Sequence, residues 1–313
     1  MLFQSWRFPP FLLLVLLPAC DVLRGCVPAP LSDADFDALY EASPAAAKDP
    51  LKIYHIGHSL VSHDMPLMLE QLAGAGHDFH SQLGWGANLI EHWDPGTPVK
   101  GYAESNTHPQ HRDPHEAVAS GEYDAVVATE AVEIRDAVEW ADPAYFLREI
   151  AVASWAANPE TRVYFYETWH QLDDEEGWLQ RIDVDLPLYW EGEILRRTLA
   201  YKNVTRPIYM IPGGQVMAAF ARAVEAEGGV GPISHYSDLF SDNIHFNDYG
   251  AYLIALTHYA VLYGRSPVGL PHGGLMKLDG TLADDPGPEA ARLMQDTVWR
   301  VVTSYPPTGV QGE

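Results

Sequence analysis

The sequence has few cysteines and no long apolar run in its body. Both cysteines of the 313-residue chain, Cys20 and Cys26, lie within its first 26 residues. The remaining residues therefore offer no disulfide framework, zinc ribbon or cysteine nucleophile. Any catalytic chemistry has to come from other side chains.

Basic residues are also scarce. The chain has 19 Lys and Arg residues against 43 Asp and Glu residues, which gives a formal net charge of -24. Such a charge repels phosphate backbones and anionic lipid surfaces, so no nucleic-acid partner is expected. A hydrophobic content of 47% indicates a globular protein with a substantial core.

The N-terminal segment reads as an export signal. Arg7 precedes the apolar run FLLLVLLPA (11–19), which is shorter than the roughly 20 residues of a membrane span. The run ends in Leu17-Pro18-Ala19-Cys20, which resembles a lipoprotein lipobox except at Pro18. Two alternatives stay open: a lipid anchor on Cys20, or cleavage near Ala19 with free secretion. Either one predicts a periplasmic or extracellular protein.

Domain organisation follows from changes in composition. Residues 1–19 form the signal, 20–50 a Pro- and Ala-rich tether with a short surface helix, 51–305 one domain and 306–313 a tail. Five β-rich runs, at 51–56, 78–83, 124–130, 162–167 and 207–212, alternate with helical patterns at 64–73, 143–157, 187–201, 214–227, 248–263 and 288–303. This alternation predicts an α/β fold with a mostly parallel five-stranded sheet covered on both faces.

The first predicted strand runs into Gly57-His58-Ser59. In parallel sheets the ligand site lies beyond the carboxyl ends of the strands, which places Ser59 at that edge. Gly57 is expected to permit a sharp turn there. Ser59 can serve either as a nucleophile or as a helix cap, and the local spacing does not decide between them.

The segment SDNIHFNDYG (241–250) bears on that choice. Asp242 and His245 lie three residues apart before an amphipathic helix, so one turn can hold the carboxylate against the imidazole. This is the pairing of base and orienting acid that activates a serine. Asp248, three residues downstream of His245, is the alternative carboxylate.

Three ordered segments together resemble the SGNH, or GDSL-like, hydrolase superfamily over about residues 51–305. Gly57–Leu60 is similar to the first block, which carries the nucleophile. Gly86 is similar to the second-block glycine, whose N–H helps to bind the oxyanion. Asp242–His245 is similar to the last block, which supplies the acid and the base.

The resemblance implies a three-layer α/β/α fold, flavodoxin-like in kind, and ester hydrolysis with no metal or other cofactor. Ser59, Asp242 and His245 would then be catalytic, and the N–H groups of Ser59 and Gly86 would bind the oxyanion. Two further dipeptides, His92-Trp93 and Thr168-Trp169, are similar to an exported bacterial branch of esterases.

The third block departs from the family. Where a Gly-x-Asn-Asp stretch would supply an Asn side chain to the oxyanion, this chain reads ATEAVEIRD (128–136). Thr129 could offer a hydroxyl instead, and Glu130 could offer a proton if burial raises its pKa. Loss of one donor costs about two to three decades in rate, so the departure bears on turnover more than on fold.

The predicted substrate is a short acyl ester, such as an acetyl ester, on a small molecule or carbohydrate, with His58 and Trp85 as candidate contacts. An O-acyltransferase with the same triad is one alternative, and a non-catalytic carbohydrate-binding protein is another. Trp93 and Trp169 are weaker candidates for sugar stacking. Loosely spaced histidines at 108, 111 and 115 lack the spacing of a zinc site on a helix, so no metal is expected. The oligomeric state stays open.

Overall fold

A computed structural model describes residues 27–42, 44 and 46–312 of the chain. The predicted signal segment, Cys20 and Cys26 lie outside the described residues.

Five parallel strands form one sheet in the described part of the chain. They are β1 (Lys52–His58), β2 (Asp78–Gly84), β3 (Ala125–Ala128), β4 (Arg162–Glu167) and β5 (Tyr209–Pro212). Their order across the sheet is β2-β1-β3-β4-β5, the arrangement of flavodoxin-like folds, whose ligand site lies where the order reverses, beside β1. The predicted fold class is confirmed, and every strand pair is parallel.

Helices connect the strands throughout the described residues. The α-helices are α1 (Asp33–Ala38), α2 (Asp64–Ala73), α3 (Leu89–Trp93), α4 (Tyr102–Ser105), α5 (Pro114–Ala119), α6 (Ile134–Trp140), α7 (Pro143–Ala157), α8 (Trp178–Asp185), α9 (Arg196–Leu199), α10 (Gly213–Glu227), α11 (Asp248–Tyr263) and α12 (Gly287–Ser304). A π-helix spans Leu186–Leu195, and 3₁₀ turns span Tyr236–Leu239 and Pro306–Thr308.

The helices lie in two layers, one on each face of the sheet. Helices α2, α10, α11 and α12 pack against one another on one face, while α3, α5, α7 and α9 form the other layer. Nearly every residue of α11 is buried, as expected of a helix that is apolar all round. No helix of the described residues is both long enough and apolar enough to cross a membrane.

The region predicted as one helix over 187–201 is built differently. Helix α8 comes first, the π-helix follows from Leu186, and α9 begins at Arg196. Pro187, near the start of the π-helix, has no N–H for the regular bond pattern. Gly192 packs so closely that a Cβ would lie 2.9 Å from the Pro187 carbonyl oxygen.

Both ends of the described chain contact the domain. In α1 and the turn after it, Phe36 and Tyr40 are buried, and the Tyr40 hydroxyl donates to the Ile208 carbonyl at 2.7 Å. Near the C-terminus, Val310 is buried as well. These segments therefore add to the core formed by residues 51–305.

Candidate active site

Ser59 follows β1 directly and begins a tight turn. The Val61 N–H donates to the His58 carbonyl at 2.9 Å, and the Ser62 N–H donates to the Ser59 carbonyl at 3.1 Å. Ser62 adopts the left-handed conformation at φ 62°, which costs about 1–3 kcal/mol in a residue other than glycine. The turn thus presents Ser59 at the carboxyl edge of the sheet, just before α2.

The expectation that Gly57 permits this turn is wrong. Gly57 lies inside β1, opposite Leu83 of β2. A Cβ at this position would lie 2.4 Å from Cγ2 of Thr129 and 3.0 Å from Cγ2 of Val61. Glycine is needed because the chain that follows β3 packs against β1, and the bend itself is made by Ser62.

Three side chains meet beside this turn although 186 positions separate Ser59 from His245. The Ser59 hydroxyl donates to His245 Nε2 at 2.9 Å, and His245 Nδ1–H donates to Asp242 Oδ2 at 2.7 Å. The predicted placement of Ser59, Asp242 and His245 within hydrogen-bond reach is confirmed. Their catalytic roles stay a prediction.

Hydrogen bonds around Asp242 fix the tautomer of the imidazole. Partial burial would raise the pKa of Asp242, but the N–H groups of His245 and Ile244 and the imidazole together lower it to about 2. An ionised carboxylate only accepts hydrogen bonds, so Nδ1 of the neutral ring carries the proton. Nε2 is therefore free to accept the proton of Ser59.

The loop that carries Asp242 and His245 is held from two sides. Within it, the N–H and the hydroxyl of Ser241 both donate to the His245 carbonyl, at 2.8 and 3.1 Å. From the segment after β4, Trp169 Nε1–H donates to the Ile244 carbonyl at 2.9 Å. At its end, the Asn247 side chain caps α11. These bonds keep a loop with two exposed functional side chains in one geometry.

Asp248 does not take part in the triad. Its Oδ2 accepts the Asp284 N–H at 2.9 Å and lies 3.3 Å from Lys277 Nζ. Asp242 is therefore the carboxylate that contacts His245.

The register of the sheet brings two N–H groups to neighbouring strand ends. His58 pairs with Gly84, so Ser59 and Gly86 lie one and two residues beyond a matched pair. Gly86 has φ 52°, and a Cβ there would meet no atom within 4 Å. Neither the Ser59 N–H nor the Gly86 N–H has an acceptor among residues that the structure describes. Both are available to an oxyanion.

Neither third-block candidate reaches the surface. Thr129 is fully buried, its hydroxyl faces the Glu130 carbonyl at 3.4 Å, and its methyl group packs on Gly57. The hypothesis that Thr129 donates to the oxyanion is therefore wrong. Glu130 is also fully buried, and burial raises its pKa to about 8 despite the N–H groups of Ala131 and Leu89.

His58 is a structural residue and not a substrate contact. It is fully buried, its Nε2–H donates to the Glu130 carbonyl at 2.8 Å, and its Nδ1 accepts the Leu60 N–H at 3.3 Å. Burial lowers the pKa of His58 to about 4, so the ring is neutral at pH 7. The sequence could not reveal this, because the carbonyl partner lies 72 positions away.

Trp85 remains a candidate substrate contact because this residue is 59% exposed. Its ring lies over Gly101, where a Cβ would be 2.3 Å from the indole. Trp169 is 1% exposed, and Trp93 packs on His115 with ring centroids 4.3 Å apart. Neither of these tryptophans offers an open face comparable with that of Trp85.

A groove of about 720 Å³ begins at Gly86 and runs between α3 and α6. Ser59 itself lies outside it. Most of the lining is apolar, and Trp140 at one side is 76% exposed; the lining residues include Ile90, Pro98, Ala131, Val132, Ala137 and Ala141. This groove was not predicted, because its walls come from segments far apart in the chain.

The histidines at 108, 111 and 115 do not share a centre. His108 packs on His63 at a centroid distance of 4.4 Å, whereas His115 Nε2–H donates to the Trp93 carbonyl at 2.9 Å. In the described part of the chain, no three His, Cys, Asp or Glu side chains are grouped so as to hold a metal ion.

Comparison with known proteins adds little at this site. No family model matches the chain, and no curated protein matches it. Among solved structures, the chain is similar to a crystal structure provisionally described as a GDSL-like lipase from Parabacteroides merdae, with 14% sequence identity and a TM-score of 0.41. The likeness covers 70% of this chain and 97% of that one. It is too distant to support an argument about activity.

Proposed function

We propose that the protein is a serine ester hydrolase of the SGNH type. One observation carries the proposal: the unbroken hydrogen-bonded chain from Asp242 through His245 to Ser59, with distances of 2.7 and 2.9 Å. A serine hydroxyl hydrogen-bonded to an imidazole that a carboxylate orients is the arrangement that forms an acyl-serine.

The reaction proceeds in two displacements. His245 Nε2 takes the Ser59 proton while Oγ bonds to the ester carbonyl carbon, and the carbonyl electron pair moves to the oxygen. The intermediate then collapses, the ester C–O bond breaks, and His245 gives its proton to the departing alcohol. Water, deprotonated by His245, attacks the acyl-serine, and collapse releases the acid and returns the proton to Ser59. Asp242 stabilises the imidazolium in each displacement.

Hydrolysis fits the openness of the site better than transfer to a sugar does. The side chains of His245 and Asp242 are 42% and 55% exposed, so water reaches the base freely. A transferase has to keep water from its acyl-enzyme, usually by closing the site.

The substrate that we propose is a neutral ester, with short acyl esters of carbohydrates as the class to test first. The open indole of Trp85, beside Gly86, offers a face on which a sugar ring can stack. The charged groups along the groove disfavour an anionic ligand. Lys100, the basic residue in the lining of the groove, is already paired with Glu91 at 3.0 Å. Asp136 adds further negative charge there.

Export completes the proposal. The apolar segment before Cys20 supports export across a membrane. The exported protein would then meet carbohydrate esters outside the cytoplasm. Lipidation of Cys20 and free secretion remain the two alternatives.

Labelling by a fluorophosphonate tests the proposal, because the reagent reacts only with an activated serine. The wild-type protein should be labelled and should hydrolyse p-nitrophenyl acetate and acetylated sugars. Ser59→Ala and His245→Ala should each abolish both signals, and the double variant should be no worse because the residues act as a unit. A wild-type protein that folds but is neither labelled nor active would instead favour the non-catalytic alternative.

A further inference from the structure

Glu130 is a buried carboxyl group that the triad does not use. It follows β3, its side chain is fully buried, and in the described residues it has no Lys or Arg partner within salt-bridge distance. Burial raises its pKa to about 8, so it is mostly uncharged at pH 7. Burying a carboxyl group that has no basic partner costs free energy, so its hydrogen bonds have to offset that cost.

The carboxyl group holds the loop that contains Gly86. Glu130 Oε1 accepts the Leu89 N–H at 3.3 Å and the Ala131 N–H at 2.8 Å. Leu89 begins α3, three residues after Gly86. The side chain thus joins the segment after β2 to the segment after β3.

The backbone of the same residue holds the turn that contains Ser59. The Glu130 carbonyl accepts the His58 Nε2–H at 2.8 Å, and His58 Nδ1 accepts the Leu60 N–H at 3.3 Å. His58 and Leu60 are the two neighbours of Ser59. Glu130 therefore contacts both segments that carry the free N–H groups of Ser59 and Gly86.

We propose that Glu130 is a positioning residue, which sets the separation between the Ser59 turn and the Gly86 loop so that their N–H groups converge on one oxygen. This inference rests on the proposed esterase function. It gives the third strand a part in the oxyanion site without any contact between Glu130 and substrate.

The chemistry of these contacts predicts which substitutions are tolerated. The side chain has to supply an acceptor for two N–H groups at the right reach. Glutamine keeps both the length and an acceptor oxygen. Methionine keeps the approximate length and volume but offers only a weak acceptor. Aspartate keeps the carboxyl group but is one methylene too short to reach Leu89.

The experiment compares Glu130→Met with Glu130→Gln. Glu130→Met should lower kcat for p-nitrophenyl acetate on the order of 100-fold, the cost of a misplacement of about 1 Å, with little change in KM. Hydrogen exchange should become faster in the peptide that covers 84–93. Glu130→Gln should retain most of the wild-type kcat and exchange protection.

Glu167 provides the matched control. It ends the neighbouring strand β4, is fully buried, and has its pKa raised to about 8 by burial. Its carboxyl accepts from the N–H and side chain of Gln215, both at 3.1 Å, and no bond joins it to residues 84–93 in the described structure. Glu167→Met should lower the melting temperature without slowing turnover of the folded fraction or altering exchange in 84–93.

The proposal is overturned if Glu130→Met folds and its kcat is unchanged. It is also overturned if Glu167→Met lowers kcat per folded molecule as much as Glu130→Met does. Where Glu130→Met does not fold, Glu130→Asp takes its place, and unchanged kcat with unchanged exchange in 84–93 overturns the proposal. If a fluorophosphonate does not label the wild-type protein, the proposed function is wrong, and so is this role of Glu130. The exchange data would still report separately whether Glu130 holds the loop.

Discussion

Replacing Asp242 by asparagine should nearly abolish turnover while leaving the fold intact. Oδ1 of Asp242 accepts the N–H groups of Ile244 and His245, at 2.8 and 2.7 Å. The asparagine oxygen has to occupy this position, because an amide NH₂ there would face two donors and lose two hydrogen bonds of about 0.5–1.5 kcal/mol each. The NH₂ group then faces His245 Nδ1.

That orientation forces the wrong tautomer. In the wild-type protein, Asp242 Oδ2 lies 2.7 Å from His245 Nδ1. With the NH₂ donor of asparagine in that place, Nδ1 becomes the acceptor and the ring proton moves to Nε2. The group next to Ser59 is then a donor and cannot take its proton. In the serine-protease template the same change lowers kcat by about 10⁴-fold, and we expect a loss of that order here. The melting temperature should hardly change, since the Asp242 side chain is 55% exposed.

The assay is p-nitrophenyl acetate hydrolysis together with the rate of fluorophosphonate labelling, and Asp248→Asn is the control. Asp248 lies three residues after His245 but bonds to Lys277 and the Asp284 N–H, so its replacement should leave turnover unchanged. Full activity in Asp242→Asn with a loss in Asp248→Asn would mean that the wrong carboxylate is named. If neither change matters, the protein works with a Ser-His pair alone.

Three further predictions concern the loop, the core and export. Trp169→Phe removes the donor to the Ile244 carbonyl, and kcat should fall by up to about tenfold; an unchanged kcat would show that the loop needs no such support. Urea unfolding should show lower stability at pH 5 than at pH 7, because burial lowers the pKa of several histidines, to about 4 in His58, His77, His92 and His258. Below pH 6.5, the ordinary pKa of histidine, the unfolded chain therefore binds more protons than the folded chain. As the pH falls, each of these histidines lowers the free energy of unfolding by up to about 1.4 kcal/mol per pH unit. Four carboxyl groups with raised pKa values, Glu70, Glu130, Glu167 and Glu191, work in the opposite direction but are fewer than the histidines whose pKa is lowered; equal or higher stability at pH 5 would refute the argument. Intact-mass measurement should find a mature chain that begins at or near residue 20, with added lipid if the lipobox reading is right, and a chain that retains residues 1–19 would contradict export.

The sheet and the long α-helices could be predicted from local patterns. Strands buried on both faces read as continuous apolar runs, and all five predicted runs overlap the strands of the structure. The bounds of α2, α7 and α11 agree with the prediction. Their ends carry strong local signals, such as Pro143 at the start of α7 and the Asn247 cap and Gly264 at the two ends of α11.

Contacts between segments that are distant in sequence account for the wrong predictions. Gly57 reads as a turn residue until the Thr129 methyl group is seen against it. His58 next to a candidate nucleophile reads as a substrate contact until the Glu130 carbonyl is seen to take its ring proton. In each case the partner follows β3, about 70 residues away, and no local spacing encodes such a pairing.

The third-block departure therefore has a different meaning in the folded chain. In the sequence, ATEAVEIRD lacks the Asn of the family's third block, and this departure predicts slower turnover. In the structure, Thr129 and Glu130 are both fully buried, so no side chain from these two positions replaces the missing Asn. Two backbone N–H groups form the whole oxyanion hole in the serine-protease template, and the Ser59 and Gly86 N–H groups are free for that purpose. Replacing a side chain does not remove a backbone N–H group, so the positions of these two donors depend on the residues that hold the two segments in place. Glu130 contacts both segments.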